Sequence, residues 1–242
     1  QALCMTAASG RGYGPPHLVP AGPEECQALF EQAGYGGEDR KPFPRVAIHF
    51  NNNELHRSLA EFIAAGWTKL LGVPIGLAPQ EQKMYLDAQR NLDYDISRSS
   101  WIGDFIGPES FLDIWTSDSV NNRTGWSNPE YDRLIREAHA EPNLGARVAA
   151  YHRAEEILLD ELPCAPIYFY DSQNMLSPRL GGFGLNLLNE QSPKDWYWMD
   201  DAELALKRRS LPTFLKLIGN VGGPRRGQYS AAALAARAPP SA

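Results

Sequence analysis

The chain has 242 residues, of which 43% are hydrophobic and 21% charged, and its formal net charge is −6. That composition belongs to folded globular proteins and excludes disorder throughout. The acidic balance argues against a nucleic-acid partner, which needs a concentrated basic surface to displace counterions.

The segment Ser9 to Pro23 is dense in glycine and proline and reads as an irregular lead-in. Gln1 to Gly14 lacks the basic head and apolar stretch of a secretion signal, as a mature or truncated chain also would. A short helix is predicted over Glu24 to Ala33, ended by Gly34. Val46, Ile48 and Phe50 alternate with Ala47 and His49, which predicts a strand over Arg45 to Phe50. Leu55, Leu59, Phe62, Ile63, Trp67 and Leu70 then recur at helical spacing. Asn52 or Asn53 can cap that helix and Gly72 can end it. Val73 to Leu77 reads as a second strand, and Gln80 to Ala88 as a helix with Met84 and Tyr85 partly inward. A third strand runs from Tyr94 to Ser99. Strands alternating with helices predict an α/β domain with a substantially parallel sheet.

Trp101 to Gly125 mixes large rings with glycine and polar residues, in the position where α/β domains present functional loops. A short helix is expected around Ser110 to Trp115. Ser127 or Asn128, followed by Pro129, marks a helix start, and Tyr131, Leu134, Ile135 and Ala138 form its buried stripe. A longer helix is predicted from Gly145 to Glu161, anchored by Val148, Tyr151, Ala154, Leu158 and Leu162. Ile167 to Tyr170 reads as a returning strand. Asp201 to Gly219 offers Leu204, Leu206, Leu211 and Leu215 to a helix that Pro212 would interrupt. From Gly222 onward the composition is that of a flexible tail.

The stretch Asp93-Tyr94-Asp95-Ile96-Ser97-Arg98-Ser99-Ser100-Trp101-Ile102-Gly103-Asp104-Phe105 gathers a cation, an aromatic face and an anion at a strand end. A carboxylate at Asp104 could accept from an ammonium and a guanidinium at Arg98 could pair with a carboxylate, while the Trp101 ring supplies sequence-tolerant apolar contact. Each also has a plainer explanation. Asp104 is compatible with a loop cap, Arg98 with a surface pair to Asp93, Asp95 or Glu109, and Trp101 with ordinary core.

Other chemistries find little support. Cys4, Cys26 and Cys164 form neither a CxxC unit nor a disulfide framework, and Cys164 fits a small buried apolar role. His49, Glu54 and His56 lack metal-ligand spacing, as do His139 and His152, so no metal or other cofactor is expected. Glu109 and Asp113 stand four apart, which alone does not make an acid–base couple. There is no GxSxG elbow. Gly34, Gly36 and Gly37 lack the lysine and preceding strand of a phosphate loop. Lys207, Arg208, Arg209, Arg225 and Arg226 gather late, without a nucleic-acid module around them.

Several short pieces, in order, carry a resemblance. They include Asn53-Glu54-Leu55-His56, Trp67-Thr68-Lys69-Leu70-Leu71-Gly72-Val73 and Gln80-Glu81-Gln82-Lys83-Met84-Tyr85-Leu86-Asp87. Tyr94-Asp95-Ile96-Ser97-Arg98, Trp101-Ile102-Gly103-Asp104-Phe105 and Gly125-Trp126-Ser127-Asn128-Pro129-Glu130-Tyr131-Asp132 follow. No piece is specific alone, but their joint order resembles the extracytoplasmic solute-binding proteins of oligopeptide, dipeptide and nickel ABC transporters, family 5. The resemblance implies a periplasmic-binding-protein-like fold (type II, cluster C), here its carboxy-terminal lobe, with a mixed sheet flanked by helices. It implies a lead-in or remnant of the preceding lobe at 1–23, the solute-binding lobe at 24–200, and a poorly matched tail at 201–242.

By the same resemblance the protein is a receptor and not an enzyme, located outside the cytoplasm. Two lobes close over an extended oligopeptide for delivery to an ABC transporter permease. Asp104 matches the aspartate that receives the peptide α-ammonium, Arg98 an arginine lining the cleft, and Trp101 a tryptophan on its wall. Two departures stand out: a first lobe is missing, and Gln82 stands where the family usually has tryptophan. The alternative expectation is a detached lobe acting as an interaction or residual domain without autonomous ligand binding.

Overall fold

The computed structural model of the chain describes residues 2–7, 12–38, 40–170, 174–184 and 190–210, the last three without their side chains. These divide into two compact units, Gln1–Asp171 and Ser172–Ala242.

The first unit opens its α/β part with helix α1 (Pro23–Gln32), which buries none of its residues. Strand β1 (Val46–Asn51) follows, with Ile48 and Phe50 buried as alternation requires. Helix α2 (Glu54–Leu71) starts where Asn53 accepts from the Leu55 and His56 backbone N–H groups. It ends at Gly72, whose φ of 71° is left-handed and free of Cβ strain only in glycine. Strand β2 (Ile75–Gln80) pairs in parallel with β1 over its whole length. Helix α3 (Gln82–Asn91) leads to the two-residue strand β3 (Ile96–Ser97), parallel to β1 on its other side. The order is β2-β1-β3, all parallel. This leaves β2 at an edge, where Pro79, lacking an N–H, is tolerated.

The face of α2 that meets the sheet is narrower than expected. Ala60 and Ala64 are buried against Ile48 and Phe50, with Ile63 and Trp67 beside them. Leu55 and Phe62 face outward, the latter 78% exposed. Small residues on the contact stripe let helix and strand approach closely, so the larger apolar residues flanking it are not needed for that contact. Met84 likewise points outward, whereas Tyr85 is buried.

A second core lies among helices. Helix α4 (Glu109–Leu112) runs into a single 3-10 turn, Asp113–Trp115. Helix α5 (Pro129–Ala140) begins at Asn128, whose side chain accepts from the Glu130 and Tyr131 backbone N–H groups. Helix α6 (Leu144–Glu161) packs along α5. Tyr131, Leu134, Ile135 and Ala138 meet Tyr151, Ala154 and Leu158 in one cluster that also takes Leu112, Ile114 and Trp115. Leu162 stands just past α6, 44% exposed, instead of anchoring it.

The lead-in is not loose. Glu155 of α6 is fully buried, and its Oε1 accepts from the backbone N–H groups of Met5 and Thr6 at 2.8 Å each. Its Oε2 accepts from the Tyr13 hydroxyl at 2.5 Å. Further on, the Ala2 N–H donates to the Ile167 carbonyl at 2.9 Å. That contact is isolated: residues 167–170 form no ladder, contrary to the predicted returning strand, and their side chains are exposed.

In the second unit, β4 (Leu180–Gly181) pairs antiparallel with β5 (Tyr197–Trp198), and helix α7 (Asp201–Ser210) follows. Both pairing directions therefore occur among the described residues, in separate sheets. Glu203 N donates to Asp200 Oδ1 and Asp200 N to Glu203 Oε2, a reciprocal cap that fixes the start of α7. The expected continuation to Gly219 and the tail from Gly222 lie outside the described residues.

Candidate functional site

The three parallel strands run toward one edge, β1 ending at Asn51, β2 at Gln80 and β3 at Ser97. This carboxyl edge is where open parallel sheets bind ligands. It holds a cavity of about 260 Å³ whose wall includes Asn51, His56, Gln82, Tyr85, Gln89, Arg98, Ser100, Arg123 and Tyr170. Among the described residues two guanidinium groups line it and no carboxylate does.

Arg98 is placed by its backbone. Its N–H donates to His49 O at 2.8 Å, which ties it to β1, and its carbonyl accepts from the Tyr85 hydroxyl on α3. The guanidinium reaches Ser100 Oγ at 3.4 Å and donates to the Tyr170 hydroxyl. His56 and Asn51 join through Nδ1 and Oδ1 at 2.6 Å, and Asn51 Nδ2 donates to Gln82 Oε1 at 2.8 Å. Partial burial, then the nearby charge of Arg98, lowers the His56 pKa below its ordinary value. The Tyr170 phenol is raised, chiefly by burial and then by its bond with Tyr168, with Arg98 opposing.

Trp101 and Asp104 lie along the loop that follows. The Trp101 indole N–H donates to the Ser110 carbonyl at 2.7 Å, and the Asp104 backbone N–H donates to Ser110 Oγ at 2.8 Å. Gly103 between them is held close: a Cβ there would stand 2.8 Å from the Phe111 ring. Trp101 packs half-buried against the α5–α6 core with its indole satisfied. The Asp104 side chain is exposed and accepts no hydrogen bond from the described residues. Arg98 alone of these three lines the cavity.

The surface pairs considered for Arg98 do not form. Asp95 instead accepts from the Ala47 N–H at 3.0 Å. Gln82 presents an amide to the cavity wall. A second cavity, about 390 Å³, lies beside it between Asn52, Arg57, Gln80 and Glu81. Sequence reasoning missed His56, Gln89, Arg123 and Tyr170 as site residues. His56 stood in a quoted motif, but Tyr170 is separated from Arg98 by 72 positions and no local pattern joins them. Among the described residues no His, Cys, Asp and Glu cluster could hold a metal ion. No helix among them is long and apolar enough to cross a membrane.

Comparison with known proteins places this geometry. The model of "Bacterial extracellular solute-binding proteins, family 5 Middle" matches residues 6–123. The periplasmic murein peptide-binding protein MppA of Escherichia coli is 36% identical over 162 residues, 67% of this chain and 30% of its own length. The dipeptide-binding protein DppE of Bacillus subtilis is 32% identical over 68% of this chain and 30% of its own length. The probable deoxycholate-binding protein YgiS of E. coli is 35% identical over 72% of this chain and 31% of its own length. The chain thus spans about a third of the length of these relatives. Among solved structures, unliganded open MppA superposes with a TM-score of 0.70 at 31% identity, over 84% of this chain and 40% of that one. Haemophilus influenzae OppA in complex with the peptide RPPGFSPFR gives 0.64 at 30% identity, over 74% of this chain and 35% of that one. An α/β fold with a parallel sheet, the ordered motifs and these likenesses agree: the chain belongs to the bacterial extracellular solute-binding proteins of family 5.

Proposed function

We propose that this span is the carboxy-terminal lobe, residues 24–200, of a receptor that binds extended oligopeptides outside the cytoplasm and delivers them to an ABC transporter permease. In this reading it is not an enzyme and needs no cofactor. The observation that carries the reading is the placement of opposite charges at the sheet's carboxyl edge and the loop after it. Among the described residues, Arg98 and Arg123 face a cavity with no counter-charge, and Asp104 presents a carboxylate without a partner on a pinned loop. Opposite ends of any peptide carry those complementary charges, so recognition through them is indifferent to side chains. Bridging waters satisfy varied side chains at small cost. Trp101 would stand between as an apolar wall, its own N–H already satisfied.

Asp104 would be the α-ammonium anchor. An exposed ion pair contributes about 1 kcal/mol at most, whereas a desolvated one costs about 2–5 kcal/mol to break. Asp104 is exposed in this span, so the smaller figure applies until something covers it. Asp104→Ala is therefore expected to weaken an unblocked peptide about fivefold by isothermal calorimetry. Equal affinities for variant and parent would remove the assignment.

A second reading follows from the exposure of the Asp104 carboxylate, which no described residue covers. It makes this part an interaction or residual domain without autonomous binding. Saturable heat with short free peptides excludes it; a flat titration of the parent chain supports it.

A further inference from the structure

Arg123 is not among the residues the sequence marked for the site, yet the structure spends several contacts on placing it. Asn122, just before it, donates to the carbonyls of Trp115, Thr116 and Trp126 and accepts from Thr124, which fixes the turn. The Tyr94 hydroxyl donates to the Arg123 carbonyl. Nη1 of Arg123 donates to Gln89 Oε1 at 3.1 Å.

Gln89 is buried, 4% exposed, and its amide can point only one way. The Arg98 carbonyl can only accept, and Gln89 Nε2 lies 3.5 Å from it, while also bonding Tyr85 and Ser97 hydroxyls at 2.9 Å each. The amide oxygen must then face Arg123, which can only donate. Arg123 is thereby oriented by a neutral partner, which does not compensate its charge. Neither Arg98 nor Arg123 forms a salt bridge among the described residues. Two like charges on one wall repel each other and focus their field into the cavity. A single carboxylate neutralises half of that charge; two carboxylates neutralise all of it.

We infer that Arg123 is a specificity residue that, with Arg98, selects a peptide end bearing two carboxylates, such as a carboxy-terminal aspartate or glutamate, over an end bearing one. The inference rests on the peptide reading above. Arg123 acts on the ligand directly, and Gln89 acts through it as a positioning residue.

The test compares Ala-Ala-Ala-Glu with Ala-Ala-Ala-Gln by calorimetry at pH 7, with deoxycholate as a one-carboxylate control. The parent chain is expected to prefer the glutamate peptide about tenfold, the lower end of what a charge-assisted hydrogen bond supplies. Arg123→Gln should bring the ratio to about one, and Arg123→Lys should restore part of it. Added salt should shrink the parent's preference, a readout that needs no variant to fold. Equal affinity of the parent for the two peptides overturns the inference and leaves the peptide reading standing. So does a preference that persists in folded Arg123→Gln. Binding of neither peptide, or tighter binding of deoxycholate than of both, overturns the peptide reading and the inference with it.

Discussion

Replacing Glu155 by alanine would test whether the lead-in is part of the folded body. The carboxylate is fully buried and serves three donors, two backbone N–H groups at 2.8 Å and the Tyr13 hydroxyl at 2.5 Å. Thr6 and Tyr13 are themselves buried, so water does not already solvate them. A buried donor left without an acceptor costs about 1–3 kcal/mol, so the buried Thr6 and Tyr13 donors with the half-buried Met5 N–H give roughly 3 kcal/mol. For a chain of this size that is a fall in Tm of roughly 6–12 °C. Glu155→Gln keeps the shape and one accepting oxygen, and the tyrosine oxygen can accept from the new amide, so about 1 kcal/mol is expected. Thermal unfolding followed by circular dichroism gives both numbers, and hydrogen exchange at Met5 and Thr6 should accelerate in the alanine variant. An alanine variant as stable as its parent, with those amides still protected, would refute that role for Glu155.

Titration of His56 gives a signed pH dependence. Its pKa is lowered by burial and by Arg98, so an anion that offsets Arg98 raises it and binding takes up a proton. Affinity for a free-carboxylate peptide should therefore rise as pH falls from 7.5 to 5.5, and His56→Gln should flatten the profile; a flat parent profile would contradict this. Burial pushes the Cys164 thiol up to about 11, from an ordinary 9.0. At pH 8 its alkylation, mapped by mass spectrometry, should be about 100-fold slower in the native chain than in urea; equal rates would place the thiol in solvent.

Local chemistry made much of the fold legible. Asn53 and Gly72 bracket α2, and Asn128 with Pro129 opens α5, because caps and turns depend on residues a few positions apart. The stripe Tyr131, Leu134, Ile135 and Ala138 is buried as its spacing required. What depends on distant partners was not legible. Residues 167–170 look like a strand but find no ladder, and pairing is a property of two segments. Nothing local in the sequence singles out Glu155, because its donors come from about 150 positions away. Leu55 and Phe62 belong to the apolar stripe that helical spacing predicts, whereas the close approach of α2 to β1 selects Ala60 and Ala64. At the site, Arg98 was found beside its strand end, while Arg123 is joined to the cavity through Gln89, 34 positions earlier.

The claim that a peptide is grasped by its charged ends faces its most direct trial in calorimetry of one short peptide, free and amino-acetylated, against the unaltered chain. Loss of about fivefold or more in affinity on acetylation, exceeding the effect of changing a middle side chain, is what the account predicts. Free and acetylated peptides that bind with one affinity would contradict it.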